Sequence, residues 1–271
     1  MGRTAVVMLA AATAALGACE GGSLVPDAGG PAGTAGSIGN PGDPFPQNRL
    51  SDFEDLAAAT IVHEGSPPRN GTWYTYNDGS ATCLQAPALM TGSVPPQPYV
   101  PEVPPTPAPT GQTGSFALHA RWSDCDTWGA GIGADINTPL TPDGAVYTGP
   151  KVPYDLTPFT GITFWAMAAP GTDVQLRLKL PMTAETRIED GGRCTESDNF
   201  KCGDDWGEAF TLPSNGNWRQ VTVRFADAGF EQEGWGMPYA WNLADVTSIQ
   251  IQSRDLAETY DFWIDDVYLI R

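Results

Sequence analysis

The sequence predicts an all-β chain folded as a two-sheet antiparallel β-sandwich, and three observations carry that prediction. First, 25 prolines and 31 glycines cut the chain into short apolar runs. Proline removes a backbone donor and glycine costs entropy in a helix, so no long helix fits between them. Second, segment after segment alternates apolar and polar residues with the period of two that half-buried strands require. Third, the two ends of the folded part answer each other. Ser51-Asp52-Phe53-Glu54-Asp55 opens it, and Asp261-Phe262-Trp263-Ile264-Asp265-Asp266-Val267-Tyr268-Leu269-Ile270 closes it. Both mix acids with apolar residues, the second rich in strand-forming aromatic and β-branched types. Paired as neighbours, they place carboxylates inside strands, where burial is costly unless a cation or donors compensate. An oxygen-liganded calcium ion shared by the two ends would supply that compensation.

The strands follow in order. Trp73-Tyr74-Thr75-Tyr76 runs into the turn Asn77-Asp78-Gly79-Ser80. The proline-dense segment 87–109 lacks ladder donors and is expected as an exposed extended loop. Phe116 to Trp122 alternates cleanly and puts His119 on the outward side. Trp128-Gly129-Ala130-Gly131-Ile132-Gly133-Ala134-Asp135-Ile136 has the glycines of a phosphate loop, but Pro139 and Pro142 follow instead of a helix. It reads as a strand that another backbone or a ligand approaches closely. Gly161 to Ala168 is a strand, and Val174 to Leu180 has strict period two, with Gln175, Arg177 and Lys179 on the face away from the core. Trp218 to Phe225 and Val246 to Gln252 repeat that arrangement. Between them lie an acidic loop, Glu185 to Glu208, expected to be solvated, and an aromatic one, Phe230 to Trp241.

Before the sandwich, residues 1–18 read as a targeting segment: Arg3 supplies a positive start and Ala5 to Leu16 a nearly unbroken apolar stretch, too short to span a bilayer. Leu16-Gly17-Ala18-Cys19 resembles the lipobox of bacterial lipoproteins, which implies lipidation of Cys19. Glu20 follows it, and the resemblance then implies the outer membrane or cell surface. Residues 19–48 are Gly, Pro, Ala and Ser with little to bury, a flexible tether. Residues 49–271 form the sandwich domain.

A net charge of −18 argues against nucleic acid or an anionic bilayer as partner, and leaves the lipid as the only membrane contact. Neutral sugars and calcium suit it better. Apart from Cys19, Cys83, Cys125, Cys194 and Cys202 make an even count in an exported chain, read as two disulfides with sequential pairing. A zinc site is the rival reading; it lacks a CxxC spacing, and the whole chain has two histidines, His63 and His119.

The order and spacing of Asp52-Phe53-Glu54-Asp55, Gly114-Ser115-Phe116-Ala117-Leu118, Asp155-Leu156-Thr157-Pro158-Phe159-Thr160-Gly161-Ile162-Thr163-Phe164-Trp165 and Phe262-Trp263-Ile264-Asp265-Asp266-Val267 resemble the galactose-binding-like jelly roll. Within it they resemble the carbohydrate-binding modules of family 11. The resemblance covers about residues 50 to 271. It implies a structural calcium held by the Asp52 carbonyl, Glu54, a carbonyl near Ser115 and Asp265, with Asp266 taking over if a bulge shifts the register. It also implies a concave sheet that presents aromatic and polar side chains to a polysaccharide or oligosaccharide. The candidates are Tyr74, Tyr76, Trp128, Arg177, Lys179, Gln250 and Gln252, with Trp206 and Trp235 on flanking loops.

Such a module is non-catalytic. The alternatives are an envelope lipoprotein using the same scaffold for structural or adhesive protein contacts and, less well supported, a glycoside hydrolase. The hydrolase needs two carboxylates in one cleft, one with a raised pKa, whereas the acids here cluster in Gly-, Asn- and Ser-rich loops where solvation favours ordinary values. No nucleophile elbow occurs.

Overall fold

The computed structural model describes residues 48–54, 68–87, 99–108, 116–137, 150–171, 173–254 and 259–271. The strands among them are β1 (Arg49–Ser51), β2 (Trp73–Asn77), β3 (Leu84–Ala86), β4 (Leu118–Ser123), β5 (Ala130–Asp135), β6 (Gly161–Ala168), β7 (Val174–Lys179), β8 (Gly207–Leu212), β9 (Arg219–Arg224), β10 (Ser248–Ser253) and β11 (Tyr260–Ile270). Every pairing is antiparallel. One sheet runs β3-β4-β11-β6-β9 with β1 also beside β11; the other runs β2-β5-β10-β7-β8. The fold is the all-β sandwich that the alternating pattern requires. The leader, Cys19, the tether up to Gln47, His63 and Ser115 lie outside the described residues.

The last strand is the spine of its sheet. β4 pairs with Tyr260–Ile264, β1 with Val267 and Tyr268, and β6 runs along both halves. Its apolar residues occupy both faces, Phe262-Trp263-Ile264 before the acids Asp265 and Asp266 and Val267 to Ile270 after them, because both faces are covered. Trp73 Nε1 of the other sheet donates to Ser51 Oγ at 2.9 Å, and Arg69 Nη2 donates to the Arg49 carbonyl at 2.6 Å. The first strand is thereby tied to both layers. Between the sheets, Trp73, Ile132, Leu176, Leu178, Ile249 and Ile251 pack towards Leu118, Phe164, Ala166, Phe262 and Ile264 in one cluster. The period-two reading of β7 holds: Val174, Leu176, Leu178 and Leu180 are all buried.

Both disulfides pair sequentially, Cys83 with Cys125 and Cys194 with Cys202. Three expectations are corrected. The described part of the proline-dense segment, 99–108, is not a free loop. Glu102 exchanges two backbone hydrogen bonds with Ala117, Tyr99 Oη donates to the His119 carbonyl at 2.6 Å, and Trp218 Nε1 donates to the Thr106 carbonyl at 2.6 Å. Proline removes donors only at its own positions, and the residues between make the contacts. His119 does point outward from β4, but this strap covers it. It is 7% exposed, stacked 3.7 Å from the Trp263 ring, with Glu102 at Nδ1 and Asp261 at Nε2. The acidic loop is not uniformly solvated either: Glu189, Asp190, Glu196 and Asp198 are exposed, while Glu185, Asp204 and Asp205 are buried. Its end, Gly207 to Leu212, is the edge strand β8.

Because the Trp73–Ser51 bond joins the first strand to the opposite sheet, Ser51→Ala leaves a buried indole N–H without its acceptor. We expect a loss of about 1–3 kcal/mol in urea unfolding with an unchanged m-value; a wild-type midpoint would contradict this role for the bond.

Candidate functional site

The outer face of the β2-β5-β10-β7-β8 sheet carries a cleft of about 950 Å³. Its floor begins with a size match between two strands. Tyr74 lies opposite Gly133 and Tyr76 opposite Gly131. A Cβ on Gly131 would sit 2.5 Å from Cζ and Oη of Tyr76, and one on Gly133 would sit 2.9 Å from the same atoms of Tyr74. The tyrosine rings therefore lie across β5 in space that any other residue would fill. The approach to β5 is close, but tyrosine side chains of the same sheet make it, where the sequence reading expected a backbone or a ligand. The rings are 6.2 Å apart, and Trp128 stacks on Tyr76 at 5.9 Å and 29°. Tyr74, Tyr76 and Trp128 form a continuous aromatic strip, with Trp128 39% exposed. Burial raises both phenols well above the ordinary tyrosine value, with Asp135 adding to the effect at Tyr74. Both hydroxyls stay protonated.

A line of amides and charges runs beside the strip. Gln250 Nε2 donates to Tyr74 Oη at 3.3 Å, Gln252 Nε2 to the Trp128 carbonyl at 3.4 Å, and Lys179 Nζ to Gln252 Oε1 at 3.1 Å. Lys179 also pairs with Asp205 at 2.7 Å. Trp235, 53% exposed, lines the cleft from the aromatic loop. A second hollow of about 400 Å³ shares Trp128, Lys179, Asp205, Trp235 and Gln252 with the cleft and reaches Arg177, Glu233 and Arg254.

Seven of the nine sequence candidates, Tyr74, Tyr76, Trp128, Lys179, Gln250, Gln252 and Trp235, thus line the main cleft. Arg177 is on the expected face but is 6% exposed, because the aromatic loop folds over it: its guanidinium donates to the Glu231 carbonyl and meets Glu233 at 3.7 Å. Trp206 lines neither hollow. It packs with Phe230 and Trp241 against the core, and its Nε1 donates to the Tyr239 carbonyl at 3.0 Å.

Residues that the sequence reading passed over also shape the site. Lys151 lines the cleft, pairs with Asp135 and sits 5.8 Å from the centre of the Tyr74 ring. Asp205 is buried at the cleft wall, and desolvation raises its pKa despite Lys179. Behind it Glu185 is pushed up to about 9, by burial first and by Asp205 next. Gln232 Nε2 donates to its Oε1 at 3.0 Å and the Met182 amide to its Oε2 at 3.3 Å. These two acids correct the expectation of ordinary values throughout the loop; in sequence, nothing separates them from their solvated neighbours.

A second cluster lies at the seam of the chain ends. The register of β11 on β6 shifts between Asp265 and Tyr268, with Asp266 at φ 47°. Asp265 is buried and pushed up to about 9, by desolvation first, then by Asp266, with Glu54 and Asp52 adding to it. Glu54 Oε1 accepts from the Phe116 amide at 3.2 Å, next to Ser115 in the chain, and Asp52 pairs with Arg49 at 2.8 Å. Among the described residues no three of these carboxylates bring oxygens within 4.8 Å of one another. The group that does draw together, Asp78 with Cys83 and Cys125, is committed otherwise, its sulfurs to a disulfide.

No family model matches the sequence. No curated protein matches it either. Among solved structures the chain is similar to a family 11 carbohydrate-binding module from Clostridium thermocellum in complex with a β-1,3-1,4-mixed-linked tetrasaccharide, with TM-score 0.43 and 13% identity over 82% of this chain and 94% of that one. It is similar to a family 30 module of a cellulosomal cellulase from Clostridium thermocellum, with TM-score 0.36 and 12% identity over 73% and 96%. A third is the CBM22-1 xylan-binding domain from Paenibacillus barcinonensis, with TM-score 0.38 and 11% identity over 83% and 96%. The family named from the sequence is among the structures this chain is similar to.

Two measurements probe this geometry. Alanine normally improves on glycine within a strand, but Gly131→Ala drives a methyl into the Tyr76 ring and the Ile251 carbonyl, so we expect a loss of about 1–3 kcal/mol in urea unfolding; a stabilised variant would mean that the ring does not lie there. An acid raised on folding keeps its proton in the native state after the unfolded chain has lost it, so stability falls as pH rises from the ordinary carboxylate range towards about 9. We expect Glu185→Gln to flatten the fall in Tm across that window, and an unchanged slope would remove Glu185 from its causes.

Proposed function

We propose that this chain is a surface-tethered, non-catalytic module that binds a neutral glycan in the cleft of the β2-β5-β10-β7-β8 sheet. One observation carries the reading: the Tyr74–Tyr76–Trp128 strip runs beside a row of amides, Gln250 and Gln252. Sugar rings have apolar C–H faces that pack on aromatic planes and hydroxyl edges that pair with amides and charged groups. The cleft, and not similarity to other modules, supports this assignment.

Charge favours an uncharged ligand. The chain is strongly anionic, yet its cleft is balanced, with Lys151, Lys179, Arg187 and Lys201 against Asp205, Glu189, Asp190 and Glu196. Ion pairs already absorb these cations, Lys201 with Glu196 at 3.2 Å and Arg187 with Glu196 at 3.6 Å among them. An anionic polymer would have to break such pairs and approach an acidic protein; a neutral one would not. The remaining parts of the proposal are the lipidated Cys19 with its tether, which would hold the cleft off an outer membrane or cell surface, and a structural calcium at the seam. The Asp52 carbonyl, Glu54, a carbonyl near Ser115 and Asp265, or Asp266 in its place, would hold that ion, which would offset the buried charge of Asp265.

Calorimetry with soluble β-1,3-1,4-glucan, xylan and agarose oligosaccharides tests the binding. We expect affinity for at least one that varies little between low and high salt, and a loss of about tenfold, about 1.4 kcal/mol, in both Tyr76→Ala and Trp128→Ala. Silence across the panel, or affinity that collapses with salt, would refute a neutral-glycan site. For the calcium, a chelator is expected to lower Tm and added calcium to restore it; a melt indifferent to both removes the ion.

A further inference from the structure

Trp128 and Trp235 stand on different loops, the first between β4 and β5 and the second between β9 and β10, yet both line the main hollow and the second one. Neither loop is braced by regular pairing at its tip, and exposed tryptophans on free loops would lose order that binding must then restore.

Each loop is instead gathered by one carboxylate. Asp78 Oδ2 accepts from the amides of Thr127 at 2.8 Å, Trp128 at 3.3 Å and Gly129 at 3.2 Å. Its Oδ1 takes the amide and hydroxyl of Ser80 at 3.0 and 2.6 Å. Asp204 treats the other loop likewise: Oδ1 accepts from Glu233 at 2.9 Å, and Oδ2 from Gly234 at 2.8 Å and Gly236 at 3.0 Å. Clustered amides of this kind form an anion-binding concavity, and here the anion is a side chain of the protein itself. The geometry requires glycine in both loops, Gly129 at φ 94° and Gly234 at φ 89°. Gly236 is needed for space as well, since a Cβ there would lie 2.4 Å from that of Asp204. At Asp78 burial opposes the charge, but the Ser80 hydroxyl and the amides outweigh it and hold the carboxyl well below the usual range.

We propose that Asp78 and Asp204 are positioning residues: two carboxylates that pre-set Trp128 and Trp235 as opposed aromatic walls, between which one sugar ring of the ligand is held. This rests on the glycan reading for the ligand, but not for the positioning. Neither acid needs to touch the sugar. Each acts through its own tryptophan, so losses should be redundant within a pair and independent between pairs.

The test has two arms on the full chain. In calorimetry with a β-1,3-1,4-glucan oligosaccharide, Asp78→Ala and Asp204→Ala each weaken binding by about threefold to tenfold, the range expected for re-ordering one side chain. Asp78→Ala then adds less than about twofold to Trp128→Ala, whereas Asp78→Ala with Trp235→Ala multiplies. Asp78→Asn, which keeps the shape and one acceptor oxygen, recovers part of the loss and guards against a folding defect in the alanine variant. Full affinity in Asp78→Ala, or losses that multiply within a pair, overturn the proposal. The second arm needs no sugar: nitrogen relaxation of the indole N–H groups is expected to show Trp128 alone loosened by Asp78→Ala and Trp235 alone by Asp204→Ala. Indoles that stay ordered overturn it, even if binding is lost. A wild type silent towards the glucan counts against that ligand, and the indole arm still decides the positioning.

Discussion

Two tyrosine rings can lie across a neighbouring strand only if that strand offers no side chains in their path, and the site depends on this constraint. Gly131 and Gly133 clear the space, Tyr74 and Tyr76 occupy it, and Gln250 fixes the Tyr74 hydroxyl from the next strand. With the rings held down, Trp128 has a plane to stack on, and its carbonyl can receive Gln252. Lys179 and Asp205 extend the same network to the opposite wall. The cleft is therefore a property of β2 and β5 as a pair, supported from behind by the Ile132, Ile249 and Ile251 layer.

The chain places acids where burial is expensive and compensates them one by one. Asp204 is compensated by three amides, Asp205 by Lys179, Asp245 by Thr183, Ala184 and Arg193. Backbone donors at turns are well suited to this because they are fixed in place and would otherwise need water. At Asp205 burial still outweighs the lysine, and Glu185 and Asp265 are pushed up to about 9, so both keep their protons well above the usual range. One lies behind the cleft wall and the other at the seam where the chain ends meet.

Much of the fold was legible because alternation survives in β6, β7, β9 and β10, and because the last strand carries apolar residues on both faces, as a central position requires. β8 was hidden: Gly-Glu-Ala-Phe-Thr-Leu directs Glu208 partly inward and follows a run of acids, so its alternation reads as loop. The strap over β4 was hidden because its anchors, Tyr99, Glu102 and Thr106, are scattered among prolines whose own chemistry dominates the reading. Within the site, the aromatic and amide residues were legible from strand parity. Burial of Arg177 and of Trp206 was not, since parity gives direction and says nothing of what folds over a face. Asp78 read as a turn residue, correctly, but its larger role lies with amides that begin 49 residues further along the chain. No local pattern encodes such a partner.

Chemical-shift mapping with the uniformly labelled domain and a soluble neutral oligosaccharide tests the central claim most directly, because it asks where the ligand sits as well as whether it binds. The account predicts perturbations concentrated at Tyr74, Tyr76, Gly131, Gly133, Gln250, Gln252 and the indoles of Trp128 and Trp235, with the opposite sheet silent. Perturbations centred on Trp263, His119 and Trp218 beneath the strap would contradict it.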